Sequence, residues 1–155
     1  AGLADEYYTS DVAYETGGRY HPEPWEPNVT ALHDPEHLKW GDLIEPGTPL
    51  PTPWDKDAFE SGSLEAQEQR RDLRVEGVTE TVMDRLFTEQ MARETVLLGG
   101  MPFAGRVGAF EGASYEPTGL YRPEVDCIMF TRNPVGFCRV CSRAIENVID
   151  QYARP

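Results

Sequence analysis

The chain is 155 residues long, room for one domain, or a large part of one, with a modest core. Lys and Arg number 14 against 27 Asp and Glu, a net charge of −13; such a polyanion is repelled by nucleic acid and by anionic membranes, and both are discounted as partners. No run approaches the roughly 20 apolar residues that span a bilayer, and the acid surplus reads as a solvated surface.

The first stretch is Gly2-Leu3-Ala4-Asp5, followed by Glu6 and two tyrosines. G-x-x-D is the spacing found in metzincin-type zinc peptidases. There a His-Glu-x-x-His helix ends at a glycine, and the third zinc ligand, His or Asp, follows three residues later. A carboxylate suits that position: its oxygen reaches Zn²⁺ at about 2.0–2.2 Å, and three protein ligands leave a fourth place for water. Alone, the stretch is equally an exposed acidic start.

Residues 16–54 are dominated by Pro, Gly, Trp and acidic side chains. Proline fixes φ and lacks the amide donor, so neither a long helix nor a central strand survives there. Yet Tyr20, Trp25, Leu32, Leu38, Trp40, Leu43 and Ile44 recur through it, and a disordered linker would be poor in such residues. An ordered, irregular segment laying aromatics onto a core is expected, with a short helix opened by Asp34 and Pro35. Asn28-Val29-Thr30 has the form of a glycosylation sequon. His33 and His37 are four apart, but Pro35 intervenes and Glu36 precedes the second histidine, so they do not make a zinc-peptidase helix. They read as solvated loop histidines.

Residues 55–98 are rich in helix formers, with Gly77 expected to break them into two helices. In the second, Val82, Leu86, Met91, Val96 and Leu97 give an approximate apolar stripe. A turn-rich stretch follows, with one short strand expected at 107–110. The tail is clearest: Cys141, Ala144, Ile145, Val148, Ile149 and Tyr152 are spaced i, i+3, i+4, i+7, i+8, i+11, an amphipathic helix packed by one face.

Cys127, Cys138 and Cys141 crowd the end of the chain. They admit a disulfide with one thiol left over, a closed thiolate zinc site completed by a histidine, a redox pair at a helix N-terminus, or reduced packing cysteines. Spacing fixes none of these; a structural disulfide is the leading expectation. Met129 stands in an apolar turn after Cys127-Ile128, where a flexible, polarisable methionine can floor a metal site.

Six segments together carry a resemblance: GLADEY (2–7), HPEPWEPNVTA (21–31), GTPLPTP (47–53), VGAFEGASY (107–115), GLYRPEVDCIM (119–129) and FCRVC (137–141). In them the chain resembles the zinc metallopeptidases named for immunoglobulin A cleavage, which belong with metzincin-like enzymes. The resemblance runs from the first residue to the last helix, except across 55–98, which looks like a helical insertion. It implies an α+β fold: the C-terminal part of a metzincin-like zinc peptidase domain, spanning 1–155, loop-rich, with a few helices and an amphipathic C-terminal one. By the same resemblance Gly2 is the turn glycine, Asp5 the third zinc ligand (with Glu6 the less favoured choice), and Met129 the Met-turn. Tyr121 and Arg122 become candidates for contacting substrate or the oxyanion.

In the family a His-Glu-x-Gly-His helix directly precedes GLADEY, so the general-base Glu and two zinc histidines are expected upstream of residue 1. The implied activity is hydrolysis of peptide bonds by a metal-activated water. The implied partners are a peptide or protein substrate and the missing N-terminal part of the same protein, and the chain alone is expected to be inactive. The cysteines then fit a secreted or cell-surface protein with a disulfide. Two rivals remain at this level: a non-catalytic binding module or degenerate relative, and a small structural-zinc or disulfide protein.

Overall fold

The structure, a computed structural model, describes residues 2–8 and 20–153. Among these the architecture is α+β: three α-helices and a two-stranded antiparallel sheet, joined by long irregular segments. No helix among them is long and apolar enough to cross a membrane.

The proline-rich segment is held by side-chain contacts in place of ladders. The Asp34 carboxylate accepts the Glu36 N–H and Pro35 opens a 3-10 turn, Pro35–His37, with a second turn at Gly41–Leu43. Trp40 is fully buried, and its indole N–H donates to the Gly108 carbonyl at 2.7 Å. Leu38 joins the same core, and Leu32, Leu43 and Ile44 pack at its margin. Tyr20 and Trp25, expected on the core, lie outside it, 78% and 79% exposed. Tyr20 stacks on His33. Trp25 covers Gly2, which has φ +63, and a Cβ there would come within 2.8 Å of the indole.

Helix α1 (Lys56–Glu76) begins where the Asp55 carboxylate caps the Ala58 N–H, and Gly77 ends it in the left-handed conformation. Helix α2 (Glu80–Gly99) follows after a three-residue turn. The break at Gly77 is thus where the sequence places it. The expected stripe on α2 is only partly used: Leu86 and Leu98 are buried, whereas Val82 and Val96 are exposed. On α1 only Phe59 and Ala66 are buried. The two helices form a hairpin that meets the body mainly at its base, through Phe59 and Leu98.

Strand β1 (Phe110–Ala113) overlaps the expected strand at one residue, and its partner β2 (Glu116–Arg122) was not anticipated. Phe110 pairs with Arg122 and Ala113 with Glu116, with a register shift around Gly112. Gly112 has φ +102, and Tyr8 lies so close that a Cβ there would sit 2.5 Å from its ring. The two-residue connection, Ser114-Tyr115, has positive φ at both positions, as a primed hairpin turn requires. Thr30 bridges to Tyr121 on the other edge of β2.

Helix α3 (Arg139–Ala153) is the amphipathic helix foreseen at the C-terminus. Its first half seats Val140, Cys141 and Ala144 in the core, while Ile149 and Tyr152 further along are exposed. Beneath it the core centres on an aromatic cage. Tyr8 stacks on Phe130 at 5.9 Å, with Phe59 and Trp54 packed around them.

Candidate functional site

Residues 2–8 run extended between the Met129 turn and the β-hairpin. The Glu6 N–H donates to Met129 O (2.9 Å), Ser114 N–H to Asp5 O (3.0 Å), and Tyr115 N–H to Tyr7 O (2.7 Å). An extended backbone sends successive side chains to opposite sides. Asp5 and Tyr7 therefore face out, and Glu6 and Tyr8 face in, both buried. Two adjacent carboxylates are delivered to two different places.

The outward side opens on a cavity of about 950 Å³, lined by Asp5, Tyr7, Tyr115 and Met129 on the body and by residues such as Glu60, Arg70, Phe87 and Glu94 from the helical hairpin. The Asp5 carboxylate is positioned by two bonds: Oδ1 accepts the Tyr7 N–H at 2.9 Å, and Oδ2 accepts the Tyr115 hydroxyl at 2.8 Å. That bond, with the Asp5 charge, raises the Tyr115 pKa. Tyr115 holds a left-handed backbone, φ 67, unusual for a bulky residue and of the kind that accumulates at functional sites. Its ring meets Tyr7 edge-on at 6.1 Å. On the hairpin wall, burial raises the Glu94 pKa.

Met129 sits in a turn organised by Asp126. Its Oδ1 accepts the Cys127 N–H (2.9 Å) and the Thr131 hydroxyl (2.6 Å), and Oδ2 accepts Asn133 Nδ2 (2.9 Å). Cys127 O accepts the Phe130 and Thr131 N–H groups, closing the turn. The geometry brings Asp5 and Met129 to one cavity, whereas Gly2 lies away from it against Trp25. It does not bring Tyr121 and Arg122 to the cavity. Arg122 is 0% exposed. Its guanidinium donates to the carbonyls of Glu111, Gly112 and Val125 and lies 3.7 Å from the Phe130 ring centre and 4.3 Å from that of Trp54. Burial draws its pKa down to about 10, so it stays charged at neutral pH. It is a structural cation. The phenol bonded to the Asp5 carboxylate is Tyr115, which the sequence reading passed over: it ends one of the resembling segments, but no periodicity or motif marks it.

The inward side holds a second arrangement. Cys127, Cys138 and Cys141 are buried and unbridged, so the expected disulfide is not formed. Their sulfurs and a Glu6 carboxylate oxygen all lie within 4.8 Å of one another, with Cys141 Sγ 3.1 Å from Glu6 Oε1. Asn28 Nδ2 donates to Glu6 Oε1 at 2.9 Å and is itself fixed by the Ala4 backbone. Burial, aided by the Cys127 charge, pushes Glu6 up to about 8. Hydrogen bonds from the Cys138 and Cys141 thiols hold Cys127 well below the ordinary thiol range, and raise those two donors in turn.

A catalytic zinc at the outward site needs three protein ligands, and the described residues do not make that centre by themselves. Four carboxylates line the cavity, Asp5 from the body and Glu60, Asp84 and Glu94 from the hairpin, but among the described residues no three of them gather as a ligand group, and none of the described histidines lines it. His33 Nε2 is engaged with His21 O at 2.7 Å, and His37 Nδ1 with Asp34 at 2.8 Å, both in the proline-rich segment.

Among curated proteins, none matches the sequence. The family model described as IgA Peptidase M64 matches residues 1–149.

Proposed function

The chain belongs to the IgA peptidase M64 family, and on that premise we propose that it forms one side of the active site of a zinc endopeptidase. Asp5 supplies one zinc ligand, Tyr115 orients it, and Met129 floors the site. The two histidines and the general-base Glu come from outside residues 1–155. The observation that carries this reading is convergence: Asp5, Tyr115 and Met129 line one cavity of about 950 Å³, although they come from three separate stretches of the chain. A cavity of that size accommodates several residues of an extended peptide. The hairpin, which we read as an insertion on the peptidase domain, supplies its opposite wall and so bears on which peptides enter.

The test is hydrolysis of a peptide library by the full protein. Asp5→Ala is expected to remove chelator-sensitive hydrolysis, lowering kcat/KM by about a thousandfold or more, of the order seen when a member of a catalytic unit is deleted. Tyr115→Phe, which removes only the hydroxyl behind the ligand, is expected to cost about 10–100-fold, the range for groups that orient metal ligands. Undiminished activity in Asp5→Ala overturns the assignment. Chelator-sensitive hydrolysis by residues 1–155 alone overturns the claim that the site is shared.

A further inference from the structure

We infer that Glu6, Cys127, Cys138 and Cys141 form a closed structural zinc site, separate from the cavity that holds Asp5. The inference stands on the buried cluster itself and is independent of the proposed peptidase reading. Four potential ligands from three separate stretches converge, all buried, with their donor atoms within 4.8 Å of one another. Zn–S bonds of about 2.3 Å in a tetrahedron place sulfurs roughly 3.8 Å apart, so small side-chain adjustments close the cluster on an ion. Cys138-x-x-Cys141 spans the start of α3, a spacing common in structural zinc sites.

The surroundings are those of a metal-thiolate centre. Cys127 Sγ accepts the N–H groups of Met129 (3.5 Å) and Cys138 (3.3 Å), and Cys138 Sγ accepts that of Cys141 (3.5 Å). Such donors stabilise thiolates without competing for the ion. Asn28 orients the carboxylate from behind, as second-layer partners of metal ligands do. Glu6 Oε2 is buried with no hydrogen-bond partner among the described residues, a position that an apolar core would penalise and a cation would satisfy. Three thiolates, a carboxylate and Zn²⁺ leave a doubly negative cluster, and the buried Arg122 guanidinium is close enough to interact with Glu6 and Cys127.

Neither alternative accounts for all four residues. A disulfide between any two cysteines leaves a buried thiol and a buried carboxylate facing one another. Plain packing explains cysteines, which behave as small hydrophobes, but not a fully buried glutamate among them. With no solvent-exposed ligand and no open position, the site is structural. On binding, the thiol protons and any proton on Glu6 leave to solvent as the ion takes their place.

The experiment uses the full protein with zinc replaced by Co²⁺. Thiolate ligation gives intense sulfur-to-cobalt charge-transfer bands in the near ultraviolet, which oxygen and imidazole ligands do not produce. The bands are expected in the wild type, unchanged in Asp5→Ala and lost in the double variant Cys138→Ser/Cys141→Ser. Because that variant can fail to fold, a second measurement is made on the wild type. All three thiols should resist alkylation in the native zinc protein and become reactive together when a chelator is added. A cobalt protein without thiolate bands overturns the site. So does a disulfide found by thiol titration in denaturant, or alkylation indifferent to chelator. Loss of activity in Asp5→Ala leaves the site untouched, so its failure and that of the peptidase reading are separable.

Discussion

The helical hairpin and the loop-built body divide regularity from burial. The hairpin, Lys56 through Gly99, holds two of the three α-helices, yet buries only Phe59, Ala66, Leu86 and Leu98. The body has a two-stranded sheet and one helix, but contains Trp40, Phe110, Val125, Phe130, the cysteines and Arg122, all buried. Helical hydrogen bonds satisfy a backbone locally and add little net stability, whereas burial of apolar surface drives folding. The irregular part is therefore the part that should unfold last. Both proposed sites depend on the body, and the hairpin contributes only a wall to the cavity.

The largest expected break in that contrast is Arg122→Ala. It strips three carbonyls of a charged donor and empties the space between Trp54 and Phe130. A loss of at least about 3 kcal/mol in urea unfolding is expected, with helix content of the native state little changed. Gly112→Ala comes next. The new methyl would press on a Tyr8 ring fixed by stacking on Phe130, at a backbone angle that side chains rarely adopt. About 2–3 kcal/mol is expected by the same measurement. Leu86→Ala, in the middle of α2, sharpens the comparison from the other side. It should cost about 2 kcal/mol, the low end for buried leucines. In amide hydrogen exchange the effect should stay within 60–98 and leave protection of α3 unchanged. Equal loosening of hairpin and body by Leu86→Ala would show that the two regions are one cooperative unit.

What could be read from the sequence follows the same division. Gly77 and the spacing of Cys141, Ala144, Ile145 and Val148 gave away the hairpin break and α3, because helical order is written in local periodicity. The stripe on α2 misled at Val82 and Val96, since an extended hairpin offers too little surface to cover both. The sheet was harder. Its turn is Ser114-Tyr115, with positive φ held by bonds from the turn's N–H groups to the Asp5 and Tyr7 carbonyls, so none of the usual Asn-Gly signals marks it. The cysteine cluster was legible as chemistry but not as a site, because its carboxylate lies 135 residues from Cys141. A histidine was the expected completing ligand; folding brings Glu6. Family resemblance supplied Asp5 and Met129 as neighbours, which spacing alone could not.

Asp5 and Glu6 are joined by a single peptide unit, about 3.8 Å from Cα to Cα, yet one faces the cavity and the other the cysteine cluster. The buried anchor therefore acts as a datum from which the cavity side is gauged, with no slack between the two. Sliding this strand by one residue would exchange the two carboxylates, pointing Glu6 at the cavity and stranding Asp5, with its shorter reach, among the sulfurs. Such an arrangement does not tolerate a single residue inserted into or deleted from the strand between the Met129 turn and the β-hairpin.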